Sequence, residues 1–220
     1  MEYYPVFLRL AGAPCVVVGG GAVAERKVAS LLSVGAEVTV VAPRLTAVLT
    51  AHAAAGAIAH RQRPYRAGDL DGARLVYAAT DDAALHAELA RAAAAAGIPL
   101  NVVDRPQWCS FIVPSVLRRG PLTVAISTGG ASPALARRLR EDLDRHLGPE
   151  YERALDLLAR LRRHLQDGPL PGSERQRILA QLVASDLLER LRGPDAAAVD
   201  RLLAEHVGAD VSLASLGARL

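Results

Sequence analysis

The stretch NVVDRPQWCSFIVPS (residues 101–115) sets one carboxylate, Asp104, between two apolar runs. A charged group at the carboxyl end of a buried parallel strand stands where open parallel sheets bind their ligands. An aspartate is ionised at neutral pH and can accept a proton while hydride leaves a substrate for an acceptor. An aspartate just before Pro106 also suits a turn cap, and on residue chemistry alone the two readings stand even. Upstream, VVVGGGAVAERK (16–27) fits the pattern G-x-G-x-x-A at Gly19, Gly21 and Ala24, with Gly20, Ala22 and Val23 between them. Such a loop turns tightly at its first glycine, lets a pyrophosphate approach the backbone at the second, and packs helix on strand at the alanine. The following helix start would offer free N–H groups to the anion.

The acid that commonly binds the ribose hydroxyls after the second strand is missing: VTVVAPRL puts Ala42, Pro43 and Arg44 there. Arg44 suits either an NADP phosphate or a place over the adenine, which leaves NAD against NADP open. Thr80 and Asp81, in YAATDD, follow the fourth strand where such sheets line a dinucleotide; capping of the next helix by Asp81 explains them equally well. A second turn, ISTGGASPALARRLR (126–140), supplies Ser127 and Thr128 as hydroxyls at a strand end, Gly129 in the turn, Ser132 as an N-cap and Pro133 at the first helical position. Its N–H groups could hold a carboxylate. Arg137 and Arg140 share a helix face, while Arg138 can pair with Glu141 or Asp142. By itself this reads as a capped surface helix with solvated arginines.

These residues need a scaffold, and the sequence describes one. From residue 14 to residue 103, short β-branched runs alternate with Ala- and Leu-rich segments of helical length, the signature of a Rossmann-type α/β unit. Strands are expected at 15–19, 37–42, 57–62, 74–79 and 99–104, and helices over 22–35, 44–56 and 81–97, each closed by a glycine. After Asp104 comes a loop and a strand-like run at 121–127 opened by Pro121. From Pro133 the chain turns helical: 134–147, 151–165, a breaker at 167–173, one helix through 174–191, and a last helix near 195–207. The tail from Gly208 is expected to be loosely held.

Composition narrows the class further. A chain of 220 residues that is 51% hydrophobic can bury a sizeable core. With 26 Lys plus Arg against 23 Asp plus Glu, the net charge of +3 tolerates an anionic ligand without calling for nucleic acid. No run approaches a membrane span or a secretory signal, so neither a membrane nor export is expected. Two distant cysteines and six scattered histidines suggest neither a disulfide framework nor a metal centre, and fit a reducing, cytoplasmic setting. Trp108, the sole tryptophan, suits packing or a wall for a flat ligand.

Taken in order and spacing, VVVGGGAVAERK, YAATDD, NVVDRPQWCSFIVPS and ISTGGASPALARRLR resemble the siroheme synthase family, in its precorrin-2 dehydrogenase and sirohydrochlorin ferrochelatase module. The likeness covers roughly residues 3–145, and the C-terminal helices only in general character. The chain has no room for the methyltransferase domain fused to some members, so the free-standing form is expected. The resemblance implies a homodimer with an NAD-binding Rossmann domain (1–113), a dimerisation region (114–147) and a helical domain (148–220), the active site lying in a cleft between them. It also implies NAD as oxidant and Asp104 as the principal catalytic residue. Gly19, Gly20, Gly21, Ala22, Val23, Pro43, Arg44 and Thr80 would bind the cofactor. Asn101, Ser127, Thr128, Gly129 and Arg137 would bind substrate.

The implied reaction oxidises precorrin-2 to sirohydrochlorin, after which ferrous iron enters the macrocycle. No protein iron site is needed, because the tetrapyrrole supplies the nitrogens. Thr128 stands where some fused members carry a phosphorylatable serine, and Arg105 and Trp108 beside Asp104 depart from the usual pattern. Dehydrogenation alone, cobalt insertion toward cobalamin, and a non-enzymatic NAD-sensing module are the competing readings. The missing acid after the second strand and the ISTGGASP segment count against the last.

Overall fold

The computed structural model describes residues 3–219, and the chain divides into two compact units, Met1–Val113 and Pro114–Leu220. In the first unit five strands form one parallel sheet: β1 (Pro14–Val18), β2 (Glu37–Val41), β3 (Ile58–Arg61), β4 (Leu75–Ala78) and β5 (Leu100–Val102), in the order β3-β2-β1-β4-β5. Near-continuous Val and Leu runs suit strands covered on both faces, and β4 is buried at every position. Helices α1 (Ala22–Leu32) and α2 (Ala47–Ala54) carry the chain from β1 to β3. Their buried residues Ala24, Val28, Leu31 and Leu49 join Val17, Val40 and Tyr77 in one core layer. Helix α3 (Ala83–Ala96) connects β4 to β5 and buries Leu89 and Ala93 on Val76, Ala78 and Val102 in a second layer. The strand order therefore reverses between β1 and β4, and a doubly wound sheet opens a ligand crevice at such a reversal.

The five expected strands are all present, with ends moved by one or two residues. The glycines expected to close the helices adopt left-handed φ values, 73° at Gly35, 71° at Gly56 and 65° at Gly97. The cap of α3 differs from expectation. Asp82, immediately before the helix, accepts the N–H groups of Ala84 and Leu85 at 3.0 and 3.1 Å, so Asp81 is left exposed and unused there.

The second unit opens with an antiparallel hairpin, β6 (Ser115–Arg119) and β7 (Leu122–Ile126), whose register pairs Arg119 with Leu122. Pro121 thus sits in the two-residue turn rather than opening the strand. Gly120 takes φ 51° before it, in the left-handed region that a tight hairpin turn uses and glycine reaches without strain. Five helices follow: α4 (Pro133–His146), α5 (Glu150–Asp167), α6 (Gly172–Ala184), α7 (Leu187–Arg190) and α8 (Ala196–His206).

The single helix expected over 174–191 is broken at Ser185. Its hydroxyl donates to Leu182 O at 2.7 Å and accepts the N–H of Leu187 at 3.3 Å, so the side chain takes over bonds that a continuous helix would make through its backbone. The tail is also held, contrary to expectation. Val211 and Leu213 are buried in the core built by Leu157, Leu161, Leu182 and Leu203, and the N–H of Leu213 donates to Asp200 Oδ1 at 2.6 Å. The apolar spacing of VSLASL is too short to register as a periodic element, yet it supplies enough side chains to close a core. Among the described residues no helix is long and apolar enough to cross a membrane.

Candidate functional site

The glycine loop joins the end of β1 to α1 at the point where strand order reverses. Gly19 has φ 125°, and a Cβ there would fall 2.1 Å from Ala79 O, beside the end of β4. A Cβ on Gly20 would fall 2.0 Å from Arg44 O. These two glycines let the segments after β1, β2 and β4 close on one another. Two hydrogen bonds fix the closure, Gly19 N–H to Val41 O and Thr46 N–H to Gly20 O, both at 3.0 Å.

Gly21 is different: nothing lies within 4 Å of the Cβ position it lacks. It is the N-cap of α1 with no side-chain cap. None of the backbone hydrogen bonds among the described residues uses the N–H groups of Gly20, Gly21, Ala22 or Val23. The result is an open row of donors at the positive end of a helix dipole, and these residues fit a dinucleotide pyrophosphate. Ala24, fully buried, lets α1 lie close on the sheet.

Pro43 and Arg44 follow β2 and are exposed, with the Arg44 carbonyl seated over Gly20. Thr80 follows β4; its Oγ1 accepts the Asp82 N–H at 3.3 Å and its carbonyl contacts His86 Nε2 at 2.8 Å. His86 is 3% exposed, so this histidine is a buried brace of the Thr80 segment.

Asp104 lies two residues beyond β5 on the same carboxyl edge of the sheet. It is the one non-glycine residue with positive φ among the described residues, at 57°, and it is exposed. The hydrogen bonds of its turn run elsewhere: Arg105 N–H to Val102 O at 3.2 Å and Trp108 N–H to Arg105 O at 3.0 Å. The Asp104 carboxylate receives none of them, so the side chain does not cap the turn. A left-handed aspartate costs backbone energy, and a surrounding that holds it there is a mark of a site.

That surrounding contains groups the sequence reading did not single out. Cys109 folds back under the turn, its Sγ accepting the Val102 N–H at 3.2 Å and donating to the carbonyls of Val102 at 3.2 Å and Arg105 at 3.4 Å. Burial raises the pKa of this thiol, which keeps it protonated and able to donate. Lys27, on α1, is half-buried with Nζ 5.1 Å from the Tyr77 ring centroid. Burial lowers its pKa, helped by Arg26, while the charge of Asp104 acts in the other direction. A lysine flanking the buried stripe Ala24, Val28 and Leu31 was the available signal.

Asn101, named as a substrate contact, is only 9% exposed and its Nδ2 donates to Phe111 O at 3.0 Å. Phe111 in turn meets Tyr77 edge-on at a centroid distance of 5.5 Å. The amide therefore ties the chain leaving Asp104 back onto the sheet. Its carboxamide nitrogen is already committed.

In the second unit, the turn before α4 forms as its sequence predicts. Ser132 caps α4 by accepting the Leu135 N–H at 3.2 Å, Thr128 Oγ1 accepts the Ser132 N–H at 3.0 Å, and Ser127 Oγ accepts the Gly129 N–H at 3.1 Å. Gly129 and Gly130 have φ of 63° and 90°. Arg137 is exposed and pairs with Glu141 at 3.0 Å, and Arg138 pairs with Asp142 at 2.9 Å. These ion pairs are solvent-screened and easily exchanged for another anion. Among the described residues no cluster of three or more His, Cys, Asp and Glu side chains gathers in a metal-holding group.

Comparison with known proteins follows the same division. A family model described as "Putative NAD(P)-binding" matches residues 6–115, and one described as "Sirohaem biosynthesis protein central" matches residues 119–146. The siroheme synthase of Methylococcus capsulatus is 46% identical over 176 residues, which cover 80% of this chain and 37% of that protein. That of Pseudomonas aeruginosa is 38% identical over 218 residues, covering 99% of this chain and 47% of that protein. The chain thus spans less than half the length of these curated relatives. A solved structure described as "SirC, precorrin-2 dehydrogenase" superposes with a TM-score of 0.72 at 27% identity, over 86% of this chain and 96% of that one. With the first model spanning half of its length over the open glycine loop and Asp104, the chain belongs to the family of putative NAD(P)-binding proteins.

Proposed function

We propose that this protein oxidises precorrin-2 to sirohydrochlorin with NAD and then assists insertion of ferrous iron to give siroheme. The observation that carries the reading is the pairing, on one sheet edge, of open N–H donors at Gly20–Val23 with the unbonded, left-handed Asp104. The relatives named above, siroheme synthases and a precorrin-2 dehydrogenase, support it.

Gly21, Ala22 and Val23 would hold the pyrophosphate, and Pro43, Arg44 and Thr80 the adenosine side. When bound, the dinucleotide supplies the acceptor for the hydride. Asp104 takes the accompanying proton, so that the two hydrogens lost by the macrocycle leave as hydride and proton. The charge of Asp104 favours the charged form of Lys27 against the effect of burial, and the Cys109 thiol keeps the Asp104 turn from relaxing. Precorrin-2 is a polycarboxylate, and the turn at Ser127, Thr128 and Gly129 with Arg137 is the assigned anchor for its acid groups. In the second step ferrous iron would displace the two pyrrole protons, and Asp104, having released its first proton to solvent, would take them up one at a time and pass them to solvent. We further assign a homodimer, supported by Leu135 and Leu139, 51% and 41% exposed one turn apart on α4. A reducing, cytoplasmic compartment suits the free thiols of Cys15 and Cys109.

The test mixes the purified protein with enzymatically made precorrin-2 and NAD, follows the absorbance of sirohydrochlorin, and then adds ferrous or cobalt ion. Oxidation with NAD, and its loss in Asp104→Asn while NAD still binds, is the expected result. An unchanged spectrum with both NAD and NADP refutes the dehydrogenase. Undiminished turnover by Asp104→Asn refutes the role given to that residue. Sedimentation of the same preparation reads the dimer.

A further inference from the structure

Asp69 lies between β3 and β4 and its side chain is only 3% exposed, yet it is not isolated. Arg61 Nη1 donates to Oδ1 at 2.6 Å, Arg63 donates through Nη2 to Oδ1 at 2.6 Å and through Nη1 to Oδ2 at 2.7 Å, and the Arg66 N–H donates to Oδ2 at 2.8 Å. The Arg61 and Arg63 side chains are 43% and 29% exposed, so both reach solvent while turned onto one buried carboxylate. Arg61 ends β3 in register with Val41, the last residue of β2, and its carbonyl accepts the Ala42 N–H at 3.2 Å. This places Arg61 beside the β2 terminus, where the adenosine ribose of a dinucleotide comes to lie.

At that terminus an acid ordinarily selects NAD by bonding the ribose hydroxyls, and a free arginine selects NADP by pairing with the 2′-phosphate. This chain has neither arrangement in its usual place. Ala42, Pro43 and Arg44 follow β2, and two further arginines stand next to them, already occupied. We infer that Asp69 is a specificity-determining residue for NAD over NADP, acting by holding Arg61 and Arg63 away from a 2′-phosphate. The inference rests on the dinucleotide reading of the glycine loop and deepens it. The acid that selects the cofactor is displaced from the end of β2 to the β3–β4 connection. It works there by neutralising arginines instead of by touching the ribose. A bidentate guanidinium–carboxylate pair is strong enough to be an effective restraint, and its loss would leave two positive charges at the crevice edge.

The test is calorimetric titration of the whole protein with NAD and with NADP, which requires no tetrapyrrole. In Asp69→Asn the ratio of NADP to NAD dissociation constants should fall by roughly fivefold or more. Adding Arg61→Ala to that variant should reverse the gain. In the otherwise native protein, Arg61→Ala should leave NADP affinity unchanged, because Arg61 is already withheld; this arm stands even if Asp69→Asn does not fold. NAD binding with an unchanged ratio in folded Asp69→Asn overturns the role of Asp69, as does a loss of NADP affinity in Arg61→Ala alone. Failure of wild-type protein to bind either dinucleotide overturns the reading of the glycine loop itself.

Discussion

Asp104 combines two properties that a turn residue seldom has together: a left-handed backbone and a carboxylate without a protein donor. Asparagine occupies the left-handed region at least as readily as aspartate, whereas alanine pays the Cβ clash without a compensating local hydrogen bond. Asp104→Asn should therefore unfold within about 0.5 kcal/mol of wild type, while Asp104→Ala should lose about 1 kcal/mol in urea denaturation. Equal losses for both variants would show that the carboxylate has a structural partner. The sequence placed Asp104 correctly at the strand end but left its two roles balanced, because whether a side chain caps a turn depends on dihedrals that residue types do not dictate. Lys27 and Cys109 were less legible for a related reason. Their proximity to Asp104 arises only when α1 lies on the sheet and the 105–110 loop folds back.

At the scale of elements, the β1–α1 turn divides labour among adjacent glycines. Gly20 is required by the protein, because its missing Cβ makes room for Arg44 O; Gly21 faces open space. Gly20→Ala should cost several kcal/mol of stability, about the 1–3 kcal/mol range of overpacking or more, and so lower the melting temperature. Gly21→Ala, at φ −89°, should melt like wild type and bind NAD more weakly, because the new methyl stands where the pyrophosphate approaches. Thermal melts paired with NAD titration check both; a destabilised Gly21→Ala with normal affinity would reverse the assignment. The motif itself was readable, since strand, glycines and helix follow one another locally. The break between α6 and α7 and the strand β6 were not. Ser185 competes for backbone bonds inside an otherwise good helix pattern, and SVLRR lacks the apolar alternation that would announce a strand.

For the whole molecule, each unit carries its own acid-sensitive buried carboxylate. In the first, hydrogen bonds from Arg63, with those from the Arg66 N–H and Arg61, hold Asp69 well below the usual carboxylate range against the opposing effect of burial. In the second, burial pushes Glu150 up, but backbone N–H groups and Arg192 outweigh it and leave its pKa lowered. A depressed folded-state pKa contributes stability at pH values above the unfolded one and loses it as pH falls. Both contributions should hold from pH 7 to about 5 and decline below about 4, near the unfolded carboxylate values. Asp69→Asn should flatten the acid limb of the first unit and Glu150→Gln that of the second, as read by denaturation across pH 2–7. An unchanged acid limb in either variant contradicts the assignment. The parallel sheet was legible from periodicity, and so was the change of pattern after Asp104. The anchoring of the tail was not, because it depends on a core assembled from four separate helices.

That anchored tail bears on how the chain is made. Every strand and helix of the first unit is complete by Val113, so it can assemble while later residues are still being synthesised. The helical core of the second unit includes Val211, Leu213, Leu216 and Ala218, near the end of the chain. Its apolar interior can close only once residues through Ala218 have left the ribosome, and a chain cut before Val211 would leave that interior uncovered while the first unit is already folded.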